Sequence, residues 1–340
     1  MAESRPMTAV ELVEHPEYNH TIWPLQPTQK GKFAVAKGRG GPINIAYEVH
    51  GHGDRHLVFL MGLGGMKYAW QRQTKDFAHT KGDHYSSLVF DNRGIGESDK
   101  PLMRYTTSEM AKDTLELIDH IGWTGIRELH VIGVSLGGMI AQELGFLENL
   151  RNRANLFIPK PLDTQIINVK RNLYTSTWLL SPDELAPEST VQAFPTNGDR
   201  FAANEIWKRS SPEYFQKKGF MLQAIAAGWH YKSPADLKTL AESVGRRRIM
   251  VVHGGQDRMI TFPHGVVLWR GLEKGEGKTG KEYMGMEQEE DVYVEGEVEK
   301  HFVKEQGHVI PIEMRKVFGA WLENLVERGE KLNADEGVAR

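Results

Sequence analysis

The sequence predicts an α/β protein: a mostly parallel central sheet flanked by helices, with a helical lid inserted late in the chain. Three observations carry this. Short β-branched runs alternate with helix-patterned runs through the first third. The stretch LHVIGVSLGGMIAQEL, residues 129–144, passes from a strand pattern through a glycine-flanked serine into a helix pattern. The strand signal then disappears for about a hundred residues and returns at RIMVVH, residues 248–253. At 340 residues the chain can bury one large core and still carry an insertion.

Residues 1–30 form an N-terminal extension. Strand-like runs follow at 33–36, 43–49, 56–60, 87–90 and 129–134. The later ones lack clean alternation, as expected of strands covered on both faces. Between Phe90 and Leu129 a helix is well marked: Thr106 and Glu109 read as a capping-box pair, Met110, Thr114, Leu117, Ile118 and Ile121 repeat at helical spacing, and Gly122 can end it. Strand, helix, strand implies a parallel crossover. A second such unit follows from Ser135 to Leu144. Residues 145–245 are proline-punctuated and helical in texture, notably 211–228, and form the lid. The core therefore comprises residues 31–144 and 246–330. Its second part holds strand runs at 248–253 and 298–305 and a terminal helix from Pro311, with Met314, Val317, Phe318, Trp321, Leu322 and Leu325 on one apolar face. Residues 272–298 are charged and glycine-rich, which suits an exposed surface loop, and the chain should fray from about Lys331.

Composition removes several function classes. A net charge of −3 offers no basic excess for nucleic acid. The absence of cysteine rules out disulfides, thiolate catalysis and cysteine-based metal sites, and fits a reducing compartment. The acidic N-terminus does not read as a secretory signal, and no segment is long and apolar enough to span a bilayer. A cytoplasmic protein without stable membrane anchoring is expected.

Gly-x-Ser-x-Gly arises by chance in glycine-rich chains, so its setting must carry the argument. A nucleophilic serine has to be lifted clear of the sheet on a tight turn, and Gly133, Gly137 and Gly138 give that turn room. The helix that follows aims its first N–H groups toward the serine, where they can stabilise a developing negative charge. A hydroxyl needs a base, and the base needs an acid to set its tautomer. Asp257 directly follows RIMVVHGGQ, whereas Asp163, Asp183, Asp199 and Asp236 fall in the lid and Asp291 in the charged loop. His308 lies between the last strand and the terminal helix, while His301 falls within a strand and His264 just past Pro263. Ser135, Asp257 and His308 are thus the candidate catalytic residues, each with a plainer alternative: a serine in a turn, a turn-capping aspartate, a packed imidazole.

These pieces together resemble the α/β-hydrolase fold superfamily, of the serine esterase and lipase kind. The resemblance rests on the turn Gly133-Val134-Ser135-Leu136-Gly137, the run DNRGIGES from Asp91 to Ser98, the loop MGLGG from Met61 to Gly65, the sequence HGGQDRMITFP around Asp257, and Gly307-His308. It implies an oxyanion hole made by the backbone N–H groups of Leu63 and Leu136, and a structural part for Asp91 and Arg93. Two departures stand out. Met61-Gly62 replaces the His-Gly common in relatives, which alters the pocket more than the chemistry because the donor is a backbone N–H. The strand expected shortly after the Ser135 helix is missing. Residues 165–169, QIINV, are its one candidate replacement and sit in a helical setting. Without that strand the sheet must re-pair across the gap or leave backbone groups orphaned, at about 1–3 kcal/mol for each buried one.

Serine at the turn, where the resemblance's epoxide hydrolases and haloalkane dehalogenases need a carboxylate, leaves acyl transfer. The expected function is hydrolysis of a carboxylic ester or thioester of a small apolar substrate through an acyl-enzyme, with no metal and no organic cofactor. Met61, Met66, Tyr68, Trp70 and Met139 are the candidate substrate pocket, against the alternative of ordinary core. The lid aromatics Trp178, Trp207, Tyr214, Phe215, Phe220 and Trp229 could cover it. The competing readings are an amidase or aminopeptidase, for which no acidic cluster near Ser135 stands out, and a noncatalytic binding protein of the same fold, which the missing strand would favour.

Overall fold

The structure, a computed structural model, describes residues 6–125, 127–144, 162–276 and 296–338. The chain begins with helix α1 (Ala9–Glu14), then strands β1 (Gln29–Val35), β2 (Ile43–Gly51) and β3 (Arg55–Leu60). A short helix α2 (Gln71–Gln73) precedes β4 (Tyr85–Phe90). Helix α3 (Thr107–Ile121), strand β5 (Leu129–Gly133) and helix α4 (Leu136–Leu144) follow. Next come helices α5 (Leu162–Leu173), α6 (Ser176–Leu180), α7 (Asn197–Ser210), α8 (Lys217–Trp229) and α9 (Pro234–Val244). Strand β6 (Met250–Gly254), helix α10 (Phe262–Lys274), strand β7 (Glu299–Val303) and helices α11 (Ile310–Glu313) and α12 (Arg315–Asp335) complete it.

β1 to β5 form one sheet in the order β1-β2-β4-β3-β5. β3 lies parallel to both β4 and β5, and β2 turns the edge antiparallel. Because side chains alternate across a strand, β3 feeds two cores. Val58 and Leu60 face Met110 and Leu117 of α3 and Leu136 and Ile140 of α4. Leu57 and Phe59 face Phe318, Leu322 and Val326 of α12. Helix α3 starts where Thr106 accepts the Glu109 N–H at 3.1 Å and stops at Gly122, whose φ of 84° is left-handed. The reciprocal half of the expected capping box is not formed: the Glu109 carboxylate instead pairs with Arg39 and with Lys112 at 2.9 Å.

Among the described residues the sheet is interrupted after β5. β6 and β7 pair in parallel as a separate two-stranded sheet. Among the described residues nothing pairs with the outer edge of β5. Residues 165–169 belong to α5 and do not fill the gap. Residues 145–161, the start of the expected lid, lie outside those described. Side chains span the seam instead of backbone bonds. Ile132 of β5, Val252 of β6 and Val303 of β7 share a core with Ile310 and Phe318. At one end Glu336 pairs with Arg127, just before β5, and with Arg248, just before β6, at 3.2 Å.

The C-terminal expectations need correction. The terminal helix is two helices, α11 and α12, meeting at Met314. Within α12 the buried stripe runs through Phe318, Leu322 and Val326, so Val317 is exposed and Val326 is buried in its place. The chain does not fray at Lys331, because the ion pairs of Glu336 hold α12 helical to Asp335. The charged loop does not begin at Leu272 either: α10 runs to Lys274 with Leu272 buried, and Val298 is buried with its carbonyl accepting Trp269 Nε1 at 2.9 Å. Most of that loop, residues 277–295, lies outside the described residues. Among the described residues no helix is long and apolar enough to cross a membrane.

Candidate active site

Ser135 sits at the junction of β5 and α4 with φ 55°, a left-handed backbone that a non-glycine residue rarely adopts. The crowding around it explains its neighbours. A Cβ on Gly133 would lie 2.3 Å from the Gly137 carbonyl oxygen, and one on Gly137 would lie 2.1 Å from that of Leu60. Both positions therefore admit only glycine. Gly138 is looser, with 3.4 Å to its nearest neighbour. Ser135 is half-buried, and its hydroxyl makes no hydrogen bond among the described residues.

Asp257 and His308 come from the other sheet, after β6 and β7. His308 Nδ1 stands 2.7 Å from Asp257 Oδ2. With a carboxylate as acceptor, Nδ1 carries the proton and Nε2 keeps its lone pair. The second carboxylate oxygen, Oδ1, accepts the N–H groups of Met259 at 2.8 Å and Ile260 at 2.9 Å, which fixes the carboxylate plane. The His308 N–H donates to the Leu173 carbonyl at 2.9 Å, anchoring its loop to the end of α5.

Two supporting residues escaped the sequence reading. Glu313 accepts the Thr175 N–H at 2.9 Å and the Gly307 N–H at 3.3 Å, bracing the residue before His308, and burial pushes its carboxyl above the ordinary range. His253 stands 2.9 Å from the Ile260 carbonyl through Nε2 and 3.5 Å from Asp257 Oδ2. Burial lowers its pKa, which keeps this second imidazole neutral beside the acid. His253 was visible as the last residue of RIMVVH, but nothing in its spacing set it apart from a core histidine.

The loop from Met61 to Gly65 lies against the serine: a Cβ on Gly62 would stand 3.1 Å from that of Ser135. Neither the Leu63 nor the Leu136 N–H has an acceptor among the described residues. The candidate pocket residues do not form one group. Met61 and Trp70 join Ala69, Val134, Val309, Pro311 and Ile312 around an apolar cavity of about 10 Å³. Met139 packs with Leu63 against the other core. Met66 is buried. Tyr68 does not line that cavity; Lys67 Nζ lies 4.4 Å from its ring centre, and burial pushes the Tyr68 hydroxyl up to about 12.

Asp91 and Arg93 are both fully buried. Asp91 accepts the N–H groups of Lys67 at 2.8 Å and Glu97 at 2.9 Å, and Arg93 pairs with Asp113 at 2.6 Å. Of the aromatic residues expected in a lid, Phe220 and Phe215 lie over Gly64. Trp207 stacks on Tyr214, and Trp178 on Tyr174 beside Val309 and Ile312. Trp229 lies under Arg104 instead. No group of three or more His, Cys, Asp or Glu side chains that could hold a metal occurs among the described residues.

Comparison with known proteins places this geometry. Residues 55–145 match the sequence model of a family described as alpha/beta hydrolase fold. A Mycobacterium tuberculosis protein provisionally named non-heme bromoperoxidase BpoC is 39% identical over 102 residues, which are 30% of this chain and 36% of that one. The 3-oxoadipate enol-lactonase 2 of Acinetobacter baylyi is 31% identical over 103 residues, 30% of this chain and 36% of the relative. The chain thus spans about a third of the length of these relatives. Among solved structures, an aryl esterase from Burkholderia cenocepacia, so named provisionally, superposes with a TM-score of 0.59 at 15% identity, over 89% of this chain and 100% of that one. That likeness speaks to fold alone. With the parallel sheet, the matched segment and the structural neighbours in agreement, the chain has the α/β-hydrolase fold, and its residues 55–145 are similar to the family of that description.

Proposed function

We propose that the protein is a serine hydrolase of carboxylic esters or thioesters of small apolar acyl groups. The observation that carries this is the 2.7 Å contact between His308 Nδ1 and Asp257 Oδ2, which leaves Nε2 of an oriented imidazole free to act as a base. In the proposed reaction Ser135 Oγ attacks the substrate carbonyl carbon and His308 Nε2 takes the hydroxyl proton. The N–H groups of Leu63 and Leu136 hold the resulting oxyanion. Collapse breaks the bond to the alcohol or thiol, which leaves with the proton from His308. Water then repeats the sequence on the acyl-enzyme and releases the acid. No metal or organic cofactor enters these steps.

One relative supports the ester class, since a lactone is a cyclic ester and an enol-lactonase is among those matched. Of the five candidate pocket residues, Met61 and Trp70, which line one apolar cavity with Val134, would shape the acyl side, and residues 145–245 would act as the lid over the core formed by 31–144 and 246–330. The partner is a small-molecule ester in the cytoplasm, not nucleic acid or membrane. A second reading, a noncatalytic binding protein, is favoured by one observation: Ser135 Oγ has no hydrogen-bond partner among the described residues, His308 included. Catalytic hydrogen bonds are commonly long before substrate binds, so this does not displace the first reading.

A fluorophosphonate label with peptide mapping separates the two. Cooperatively melting wild-type protein should be labelled at Ser135, and Ser135→Ala should not be labelled. A well-folded wild type that fails to react establishes the binding protein instead.

A further inference from the structure

The loop that carries the Leu63 N–H has little stiffness of its own, because Gly62, Gly64 and Gly65 are three of its five residues. Its order comes from hydrogen bonds. Within the loop, the Gly65 N–H donates to the Gly62 carbonyl at 3.1 Å. The Leu63 N–H shares that peptide plane and, being trans, points the opposite way. At its start, Asn92 Nδ2 reaches the Met61 carbonyl at 3.3 Å.

The remaining holds reach in from α7 and α8. Gln223 of α8 is fully buried; its Oε1 accepts the Gly64 N–H and its Nε2 donates to the Arg93 carbonyl, both at 2.9 Å. Lys208 of α7 is also buried, and its Nζ donates to the Gly64 carbonyl at 3.1 Å. Lys208 is itself ion-paired with Glu205, which keeps a second partner in Arg209 at 2.9 Å. Both polar groups of Gly64 are therefore taken by side chains more than 140 positions away, over the ring of Phe220. Gly64 has φ 67°, so its own backbone preference does not lock this geometry.

We propose that Gln223 and Lys208 are positioning residues for acyl transfer: they clamp Gly64 from both sides and so aim the Leu63 N–H at the oxyanion. The proposal rests on the ester-hydrolase reading of Ser135. It ties the helices of residues 197–229 to catalysis through a peptide plane, independently of any contact they make with substrate. Loss of the clamp lowers the rate of the chemical step and leaves ground-state binding nearly unchanged, because the oxyanion exists only after attack.

The test uses the full chain, with Gln223→Leu, Gln223→Glu and Lys208→Met, on a short p-nitrophenyl ester. Activity is expressed per site labelled by fluorophosphonate, so that misfolded molecules do not count. Gln223→Leu and Lys208→Met should lower kcat per labelled site at least about tenfold with KM within about twofold, a loss short of the 10²–10³ of a deleted oxyanion donor. Gln223→Glu keeps an acceptor for the Gly64 N–H and should recover most of the loss. A kcat per site within twofold of wild type in folded Gln223→Leu overturns the proposal, as does a Gln223→Glu no better than Gln223→Leu, which would assign the effect to the Arg93 carbonyl. Where Gln223→Leu does not melt cooperatively, Lys208→Met decides by the same criteria, and loss of folding in both makes the clamp structural and ends the proposal. Wild type unlabelled at Ser135 defeats the hydrolase reading itself, before any variant is compared.

Discussion

Ser135 and His308 stand on different sheets: the serine follows β5 of the five-stranded sheet, and the histidine follows β7 of the two-stranded one. Among the described residues no continuous ladder of backbone bonds joins the two sheets, and what links them is side-chain packing across the seam, through Ile132, Val252, Val303 and Ile310. Packed side chains are held by dispersion and burial, which are less directional than hydrogen bonds. Asp257 and His308, by contrast, follow the paired strands β6 and β7 and keep a tight contact.

Asp257→Asn should separate orientation from folding. The amide still offers an oxygen, but its NH₂ cannot accept from His308 Nδ1, so the imidazole loses the tautomer that frees Nε2. Ester hydrolysis should fall about 10⁴-fold in kcat, with the melting temperature nearly kept. A fall of less than tenfold, measured on short p-nitrophenyl esters, would remove Asp257 from the proposed triad.

The glycines around Ser135 predict a sharp contrast in stability. Gly137→Ala puts a methyl 2.1 Å from the Leu60 carbonyl oxygen, a rigid backbone atom, and should cost about 3 kcal/mol or more as β3 and α4 are pushed apart. Gly138→Ala meets nothing closer than 3.4 Å and gains about 1 kcal/mol of helix propensity. Urea melts of the two variants should bracket the wild type. Equal stabilities would show that the turn is not as tight as described.

Much of this was legible in the sequence because local chemistry decided it. Thr106 and Gly122 bounded α3, and the glycines at 133 and 137 marked a turn that tolerates no Cβ. The expected gap after α4 falls on residues 145–161, outside those described; among the described residues no strand lies between Leu144 and Met250, and 165–169 are helical. What the sequence could not convey was how other residues respond to tertiary partners. Glu109 left its cap for Arg39, a residue 70 positions away. Lys67, beneath the ring of Tyr68, is buried beside Asp91, 24 positions away. Gln223 and Lys208 carry no local pattern, since their partner is a backbone group of a distant loop.

Glu143 gives a pH prediction. Burial opposes its charge, but hydrogen bonds and charge from His230 and Lys232 prevail and lower its pKa to about 2 from an ordinary 4.5. A carboxyl depressed in the folded state stabilises fully above the unfolded value and loses that contribution as pH falls from about 4.5 toward 2. Glu143→Gln should therefore be less stable than wild type by on the order of 2 kcal/mol at pH 7, with the gap narrowing between pH 4.5 and 3. A gap that stays constant over that interval would show that the charge of Glu143 is not what ties α4 to the end of α8.

The bare edge of β5 is testable by hydrogen exchange. In a parallel pair, both backbone groups of one residue face the same neighbour, and successive residues face opposite sides. The Val134 N–H donates to the Leu60 carbonyl at 3.2 Å, so Ile132 and His130 face β3, while Val131 and Gly133 face the seam. Val131 is 39% exposed, unusual for a strand in the middle of this fold's sheet. Amides at 131 and 133 should exchange much faster than that of Ile132, giving an alternation along one short strand, whereas β3, paired on both sides, should be protected throughout. Uniform protection along β5 would mean that another segment pairs with its outer edge, and the two sheets would then be one in solution.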